Sequence, residues 1–450
     1  MELRPYQRRH IPFLPDIFFG WWILIAGVAI MMLVGTINTY GLGLFSIPLM
    51  AQFGWSRAQL SGGLSLSRLE GGLVGPIEGI LVDRFGPRVM MFIGVPLIAL
   101  GFYMLSRLED LISFTGWDSL VLFYIIYVLF ITLGGSLGTG TAANTAIANW
   151  FVRRRGMAIG IISSGIGWGA GLWVPVIGYV IEHYSWQQAS YAATFAVLAI
   201  GLPAAAVMRH RPEKYGYLPD GDTPESLAAE AARPPEQRRY SAANEENFTL
   251  RQAIRTRAFW IMAFAFSIRV AITSAVTLHM VPLLQDLGYS LVVAAYVSSA
   301  QAILSNVGRI GIGSLGDGRN KKAIYIMCLC GLLVGVIAFA YATDIWQIAL
   351  FLLLYGPAYG GMNTLAPSLR GEYFGRHHFG SIGGAMGPIN TLGTVSGPLF
   401  AGFMWDRTGS YKTSMLIFAG LVVIDILLMS FLTHPHLSDV KESTPAPVGG

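Results

Sequence analysis

Long apolar stretches, separated by short turns rich in Gly, Pro, Arg and Lys, run through almost the whole chain. The apolar positions do not alternate as in the strands of a barrel. They run on for about 20 residues at a time, the length of helix that crosses a hydrocarbon core. Twelve such segments are predicted near 20–50, 59–83, 88–106, 119–149, 156–181, 188–208, 258–285, 291–315, 321–341, 345–369, 378–404 and 411–432. A chain in lipid must satisfy its own backbone hydrogen bonds, and a helix does so within one segment. The pattern predicts an all-α integral membrane protein with twelve transmembrane helices. The first apolar run continues well past 15 residues with no small-residue cleavage site, so it reads as a span and not as a signal peptide.

Composition sharpens this picture. Of 450 residues, 54% are hydrophobic and 12% charged, against about 25% charged in a soluble domain. The net charge of +5 does not indicate nucleic-acid binding, because the basic residues are sorted by loop. With both termini inside, 23 of the 30 Lys and Arg face the cytoplasm and four face outside, as the positive-inside bias requires. The expected setting is the lipid bilayer of the cell membrane, crossed many times, with the protein acting as a monomer. Cys328 and Cys330 lie in an apolar run and read as small fillers.

Residues 209–256 form the one long polar stretch, with eight basic and eight acidic residues. It reads as a partly disordered cytoplasmic linker, a tether more than a regulator, with a short surface helix near 248–254. On either side the chain repeats itself. "GILVDRFGPR" at 79–88 is echoed by "GSLGDGRNKK" at 313–322 with an offset of 234, and "WFVRRRGMAIG" at 150–160 by "YFGRHHFGSIG" at 373–383 with an offset of 223. The predicted organisation is two pseudo-symmetric six-helix bundles, 1–208 and 257–450, joined by the linker. Such repeats place a substrate site between the halves near the bilayer midplane.

The pattern G-x-L-x-D-R-x-G-x-R at Gly79, Leu81, Asp83, Arg84, Gly86 and Arg88 resembles the signature loop of the major facilitator superfamily. The segment "YGLGLFSIPLMAQFGWSRAQLS" at 40–61, with "NWFVRRRGMAIGIISSG" and "HMVPLLQDLGYS", is similar to bacterial relatives of the monocarboxylate porters and oxalate/formate antiporters. The resemblance implies alternating access, with Asp83 as a latch between the halves in the outward-facing state. Asp317 stands at the matching place in the second loop, where Gly318 and Asn320 depart from the pattern. Two further departures bear on mechanism. Ser305 stands where many eukaryotic porters place an Asp, and Met386 near where the oxalate/formate antiporter has a Lys.

Ionisable residues within spans are costly and mark function. At 1.5 Å per residue, Glu70 lies roughly 20 Å and Arg68 roughly 22 Å above Asp83, Arg309 about 12 Å above Asp317, and Arg269 about 17 Å along the seventh span. Arg309 is the first candidate for gripping a carboxylate, since a guanidinium binds it bidentately and keeps its charge; the resemblance to anion transporters supports it. Arg269 is the second. Either could instead pair with Glu70. Glu70 is the candidate proton carrier and Glu78 a proton or gate-network residue. Arg68 is expected to snorkel toward the outer interface. Asn38, Tyr40 and Phe45, Trp168 and Trp173, and Tyr355 and Asn363 are candidate cavity-lining residues, each open to a plain packing role. His279 near an outer helix end reads as interfacial.

The glycine runs at 134–144, 165–171 and 393–402 follow no strand and read as helix packing. There is no P-loop and no metal or nucleophile motif, so no cofactor and no enzyme activity is expected. The expected function is secondary transport of a small organic anion, a monocarboxylate, coupled to protons. Two alternatives remain open: a transporter of a neutral solute or drug, and a transporter-like sensor signalling through the linker.

Overall fold

The structure is a computed structural model that describes residues 17–37, 42–232 and 246–437. Among the described residues every regular element is helical. The first described helix is α1 (Gly20–Ile30), which widens into π turns to Gly35, and α2 (Leu42–Phe53) is the next described helix. Then come α3 (Arg57–Phe85), α4 (Pro87–Ser106), the short α5 (Leu108–Thr115), α6 (Ser119–Trp150, partly in π turns), α7 (Arg155–His183) and α8 (Trp186–Val207). The polar segment holds α9 (Pro224–Ala231) and α10 (Leu250–Ile254). After it follow α11 (Arg257–Asp286), α12 (Leu291–Gly316), α13 (Lys321–Ala340), α14 (Ile345–Phe374), α15 (Phe379–Thr408) and α16 (Lys412–Ser430).

Eight of these helices, α4, α6, α7, α8, α11, α13, α14 and α16, are long and apolar enough to cross a membrane. α3 and α15 have the length but less apolarity, being rich in glycine, and α3 also carries Arg68, Glu70 and Glu78. α12 is likewise long enough to cross, at 26 residues. The expected span at 20–50 is helical in its described parts, with π turns over Met31–Gly35, and residues 38–41, with Asn38 and Tyr40 among them, lie outside the described residues.

Local chemistry sets the helix ends. Side chains of Ser56, Asp118, Ser185, Thr256, Ser290 and Asn320 each accept a backbone N–H of the first turn that follows, satisfying donors that a helix start leaves free. Gly86 ends α3 at φ +88° and Gly375 ends α14 at φ +77°, where a Cβ would be strained.

The buried apolar residues form two separate cores. One gathers side chains from Phe19 to Met208, with Trp150, Phe123 and Phe151 among its largest wholly buried; the other gathers Phe248 to Leu432, with Tyr325, Phe351 and Tyr355 among its largest. The described part of the polar segment is docked against both. Trp150 Nε1 donates to the Arg209 carbonyl at 3.1 Å and Asn149 to that of His210 at 3.1 Å. The Arg209 guanidinium lies 4.3 Å from the ring centres of Phe19 and Tyr215. Asp220 accepts the N–H groups of Val152 and Arg153 at 3.0 and 2.8 Å. From the other core, Arg376 donates to the Asn149 carbonyl at 2.9 Å and pairs with Glu213. The short helix expected near 248–254 is α10, and Phe248 beside it is wholly buried, edge-on to Phe374.

Candidate functional site

Where the two cores meet, glycines let backbones touch. A Cβ on Gly79 of α3 would strike the Gly380 carbonyl of α15, and one on Gly156 of α7 the Gly313 carbonyl of α12. The same holds farther along, for Gly384 against the Gly75 carbonyl and Gly160 against the Arg309 carbonyl. α3 with α15 and α7 with α12 are therefore paired seams, each closed by small residues at the end that carries the loop motifs, here called the motif end.

Each seam is capped by an aspartate. Asp83 Oδ2 accepts the Ser381 N–H and hydroxyl at 2.6 Å each, and Oδ1 accepts the Gly380 N–H at 3.1 Å. Asp317 Oδ1 accepts the Gly156 N–H at 2.7 Å and Oδ2 that of Met157 at 2.8 Å. Both carboxylates thus sit on the first free N–H groups of a helix in the opposite core, α15 for Asp83 and α7 for Asp317, where the helix dipole favours negative charge. The caps pair Gly156 with Gly380, an offset of 224, one residue from the register of the sequence echo. Burial pushes the Asp317 carboxyl up to about 6, against the opposing pull of its two N–H bonds and of Lys321. Arg84 and Arg88 take no part in the cap; each lies against an aromatic ring of its own helix, Phe85 and Phe92. Gly86 lets the chain turn beneath the His210 ring. Burial and the positive charges of Arg211 and Lys214 lower His210 to about 4.

Beyond the seams lies a cavity of about 390 Å³, lined by Arg68, Arg269, Thr273, Ser274, Thr277, Tyr359 and Asn363 among others, within the usual range for a small-molecule site. It reaches from Arg269, about 18 Å along α11, to Leu278, about 31 Å along. Arg269 is 6% exposed and donates to Asn363 Oδ1 at 2.8 Å. Arg68, expected to snorkel outward, instead faces this cavity from α3, so guanidinium groups from both cores share one space. Counting its depth along α3 placed it at the right height; its direction depends on how α3 turns toward α15.

The other expected residues fall elsewhere. Arg309 does not line the cavity; its Nη1 donates to the Ser163 carbonyl of α7 at 2.7 Å, on the motif side of the cavity. Glu70 is 8% exposed, and neither of its oxygens has a hydrogen-bond partner among the described residues. The expected alternative of a Glu70 ion pair with Arg269 or Arg309 is therefore not realised. Glu78, 3% exposed, faces Ser136 and feels the charge of Glu70. Tyr355 is fully buried behind Tyr359, its ring parallel at 5.9 Å, and Phe45 is buried against Phe102 in the first core. Trp168 is 43% exposed but outside the cavity wall, and Trp173 packs on the first core. His279 bridges the Tyr411 hydroxyl and the Pro398 carbonyl, at 3.1 and 3.0 Å. Residues missing from the expectation are Tyr359, Thr273, Ser274 and Thr277; a polar i, i+4 stripe, Arg269–Thr273–Thr277, was the signal that could have found the last group.

The Major Facilitator Superfamily model matches residues 23–398 and 319–449. The chain is 26% identical over 441 residues to monocarboxylate transporter 13 of Bos taurus, covering 96% of this chain and 93% of the relative. It is 23% identical over 423 residues to the oxalate:formate antiporter of Oxalobacter formigenes, covering 92% and 91%. Among solved structures the E. coli fucose:proton symporter superposes with a TM-score of 0.67 at 15% identity, covering 93% of this chain and 100% of that one.

Proposed function

Since the chain belongs to the Major Facilitator Superfamily and is thus a multi-pass membrane transporter and not an enzyme, we propose that it moves a small organic anion, a monocarboxylate, together with a proton. In this reading the spans number twelve, in halves 1–208 and 257–450 joined by 209–256, with both termini cytoplasmic in the cell membrane and the protein working as a monomer. The supporting observation is the cavity that Arg68 and Arg269 share across the two cores, with Asn363 and the Thr273 and Thr277 hydroxyls beside them. A guanidinium from each core can hold one carboxylate and draw the halves together around it. The names of the relatives point to the same substrate class.

The caps support a reading of alternating access. With Asp83 and Asp317 seated, the motif end is shut and the cavity extends toward the opposite end. Binding must release both caps and close the far side. Arg309, held to Ser163 below the cavity floor, serves in this scheme as the next station, freed for the anion when α7 and α12 part. A carboxylate within the bundle carries the proton, and Glu70 and Glu78 are candidates.

Uptake of radiolabelled lactate into liposomes containing the purified protein, under an inward proton gradient, tests the reading. Gradient-stimulated uptake that other monocarboxylates suppress, that neutral sugars leave intact, and that Arg269→Ala abolishes is the expected result. Equal competition by neutral solutes sinks it.

A further inference from the structure

The second core buries a carboxylate that the scheme above does not use. Asp425 stands in the middle of the apolar run of α16, is 0% exposed, and neither oxygen has a hydrogen-bond partner among the described residues. An ionised carboxylate enclosed in this way, without bonds, is strongly disfavoured unless an adjacent positive charge or a proton neutralises it. The charge that acts on Asp425 is Arg269, the residue that also lines the cavity. The Tyr325 hydroxyl of α13, fully buried, lies in the field of both Arg269 and Asp425.

The helices packed on α16 are α13, α11 and α15. α13 presents Tyr325 and Cys328 at this level, and α11 presents Arg269. The charged residues of α15 near α16, Asp406 and Arg407, stand at its far end. Lys322 at the start of α13 bonds instead to the Ser430 and Leu432 carbonyls, at 2.7 Å each. Asp425 lies about 8 Å along α16 from its motif end at Ser430, and Tyr325 about 6 Å along α13 from Lys321. Arg269 is therefore the link between the cavity and a buried acid placed nearer the motif end.

We propose that Asp425 is the proton-carrying carboxylate of this protein, coupled to the anion through competition for Arg269. The proposal rests on the reading of the cavity as an anion site. Arg269, bonded to Asn363, acts on Asp425 through its charge and, while no anion is bound, favours the ionised carboxylate. A carboxylate that enters the cavity engages Arg269 and offsets that charge, and Asp425 takes up one proton from cavity water. When the anion leaves at the motif end, the charge of Arg269 acts on Asp425 again and the proton departs on the same side. One anion and one proton move together, so no net charge crosses the membrane.

The test compares two assays on the full chain in liposomes, lactate uptake driven by an inward proton gradient and lactate exchange at equal pH. Asp425→Asn is expected to slow gradient-driven uptake at least tenfold more than it slows exchange, and Asp425→Glu to restore part of the gradient response. Infrared difference spectra of the wild type are expected to show a protonated carboxyl band on lactate addition, shifted in Asp425→Glu. A wild type that exchanges no lactate overturns the anion reading and this proposal with it. A wild type that exchanges lactate, beside an Asp425→Asn that keeps its gradient response or loses both assays equally, overturns this proposal alone. So does the absence of the lactate-induced carboxyl band, or loss of gradient response in Glu70→Gln while Asp425→Asn retains it.

Discussion

Asp83 holds Ser381 twice, through its backbone N–H and its hydroxyl, both at 2.6 Å, and so ties the end of α3 to the start of α15 across the boundary between the two cores. Hydrogen bonds to charged groups contribute about 1.5–3 kcal/mol each. Asp83→Asn keeps the shape and removes the charge, so the closed motif end is expected to lose stability by roughly ten- to a hundredfold in population. Asp317→Asn, at a carboxylate that accepts two backbone N–H groups and no hydroxyl, is expected to show a smaller effect, and Ser381→Ala a smaller one still. Spin labels at Arg84 and Arg319, both exposed and on opposite cores, measure the separation; unchanged distance distributions in Asp83→Asn would count against the latch.

The glycine seams make a steric prediction. A Cβ at Gly79 meets the Gly380 backbone carbonyl, which cannot rotate away. Overpacking of this kind costs about 1–3 kcal/mol, and here the cost falls on the closed motif end alone. Gly79→Ala should therefore shift the same label distances toward separation. Gly71→Ala, on the same helix but with open space around the new methyl, should leave them as they are. A like response from both substitutions would mean that helix propensity, not the seam, sets the outcome.

Much of this architecture was legible in the chain, because crossing lipid imposes long apolar runs and helix caps mark their ends. The predicted ends of the second, third, fifth and eighth segments fall within two residues of α3, α4, α7 and α12. What the pattern did not supply is direction around each helix axis. Arg68 and Glu70, two residues apart on α3, point to different sides, one into the cavity and one into an enclosed site. Arg309 and Arg269 both count to the middle part of the bilayer, yet one is held by Ser163 and the other by Asn363. Asp425 carries the same lesson in reverse: a lone acid in an apolar run needs no alignment to be noticed, only a scan for charges in the last span.

Acid should loosen the docked linker through His210. Burial and the adjacent Arg211 and Lys214 lower its folded value from the ordinary 6.5 to about 4. A base held below its free value binds protons more readily when undocked. The docked segment is therefore at full strength above pH 6.5 and weakens as pH falls toward 4, by up to about tenfold per pH unit. Asp317, pushed up to about 6 by burial, titrates in the same range. The difference between wild type and His210→Gln isolates the histidine. The protection factors of residues 209–222, their exchange rates divided into the intrinsic rates at each pH, are expected to fall steeply between pH 7 and 5 in the wild type and more gently in His210→Gln. Parallel curves would dismiss His210 as the cause.

Arg68 and Arg309 should separate kinetically if one lines the resting cavity and the other waits below it. Arg68 faces the space where an anion would first be held, so Arg68→Ala removes a contact made on binding and is expected to raise KM about tenfold or more. Arg309 is bound to the Ser163 carbonyl in the state closed at the motif end, and its contact with an anion can form only after α7 and α12 part. Its loss then falls on the transition between states. Arg309→Ala is expected to lower the maximal rate at least tenfold with a smaller change in KM, and Arg309→Lys, which keeps the charge but not the planar fork, to recover only part of it. Initial-rate lactate uptake over a concentration series gives both parameters. A matching rise in KM for the two alanine variants would place both arginines on the anion from the start.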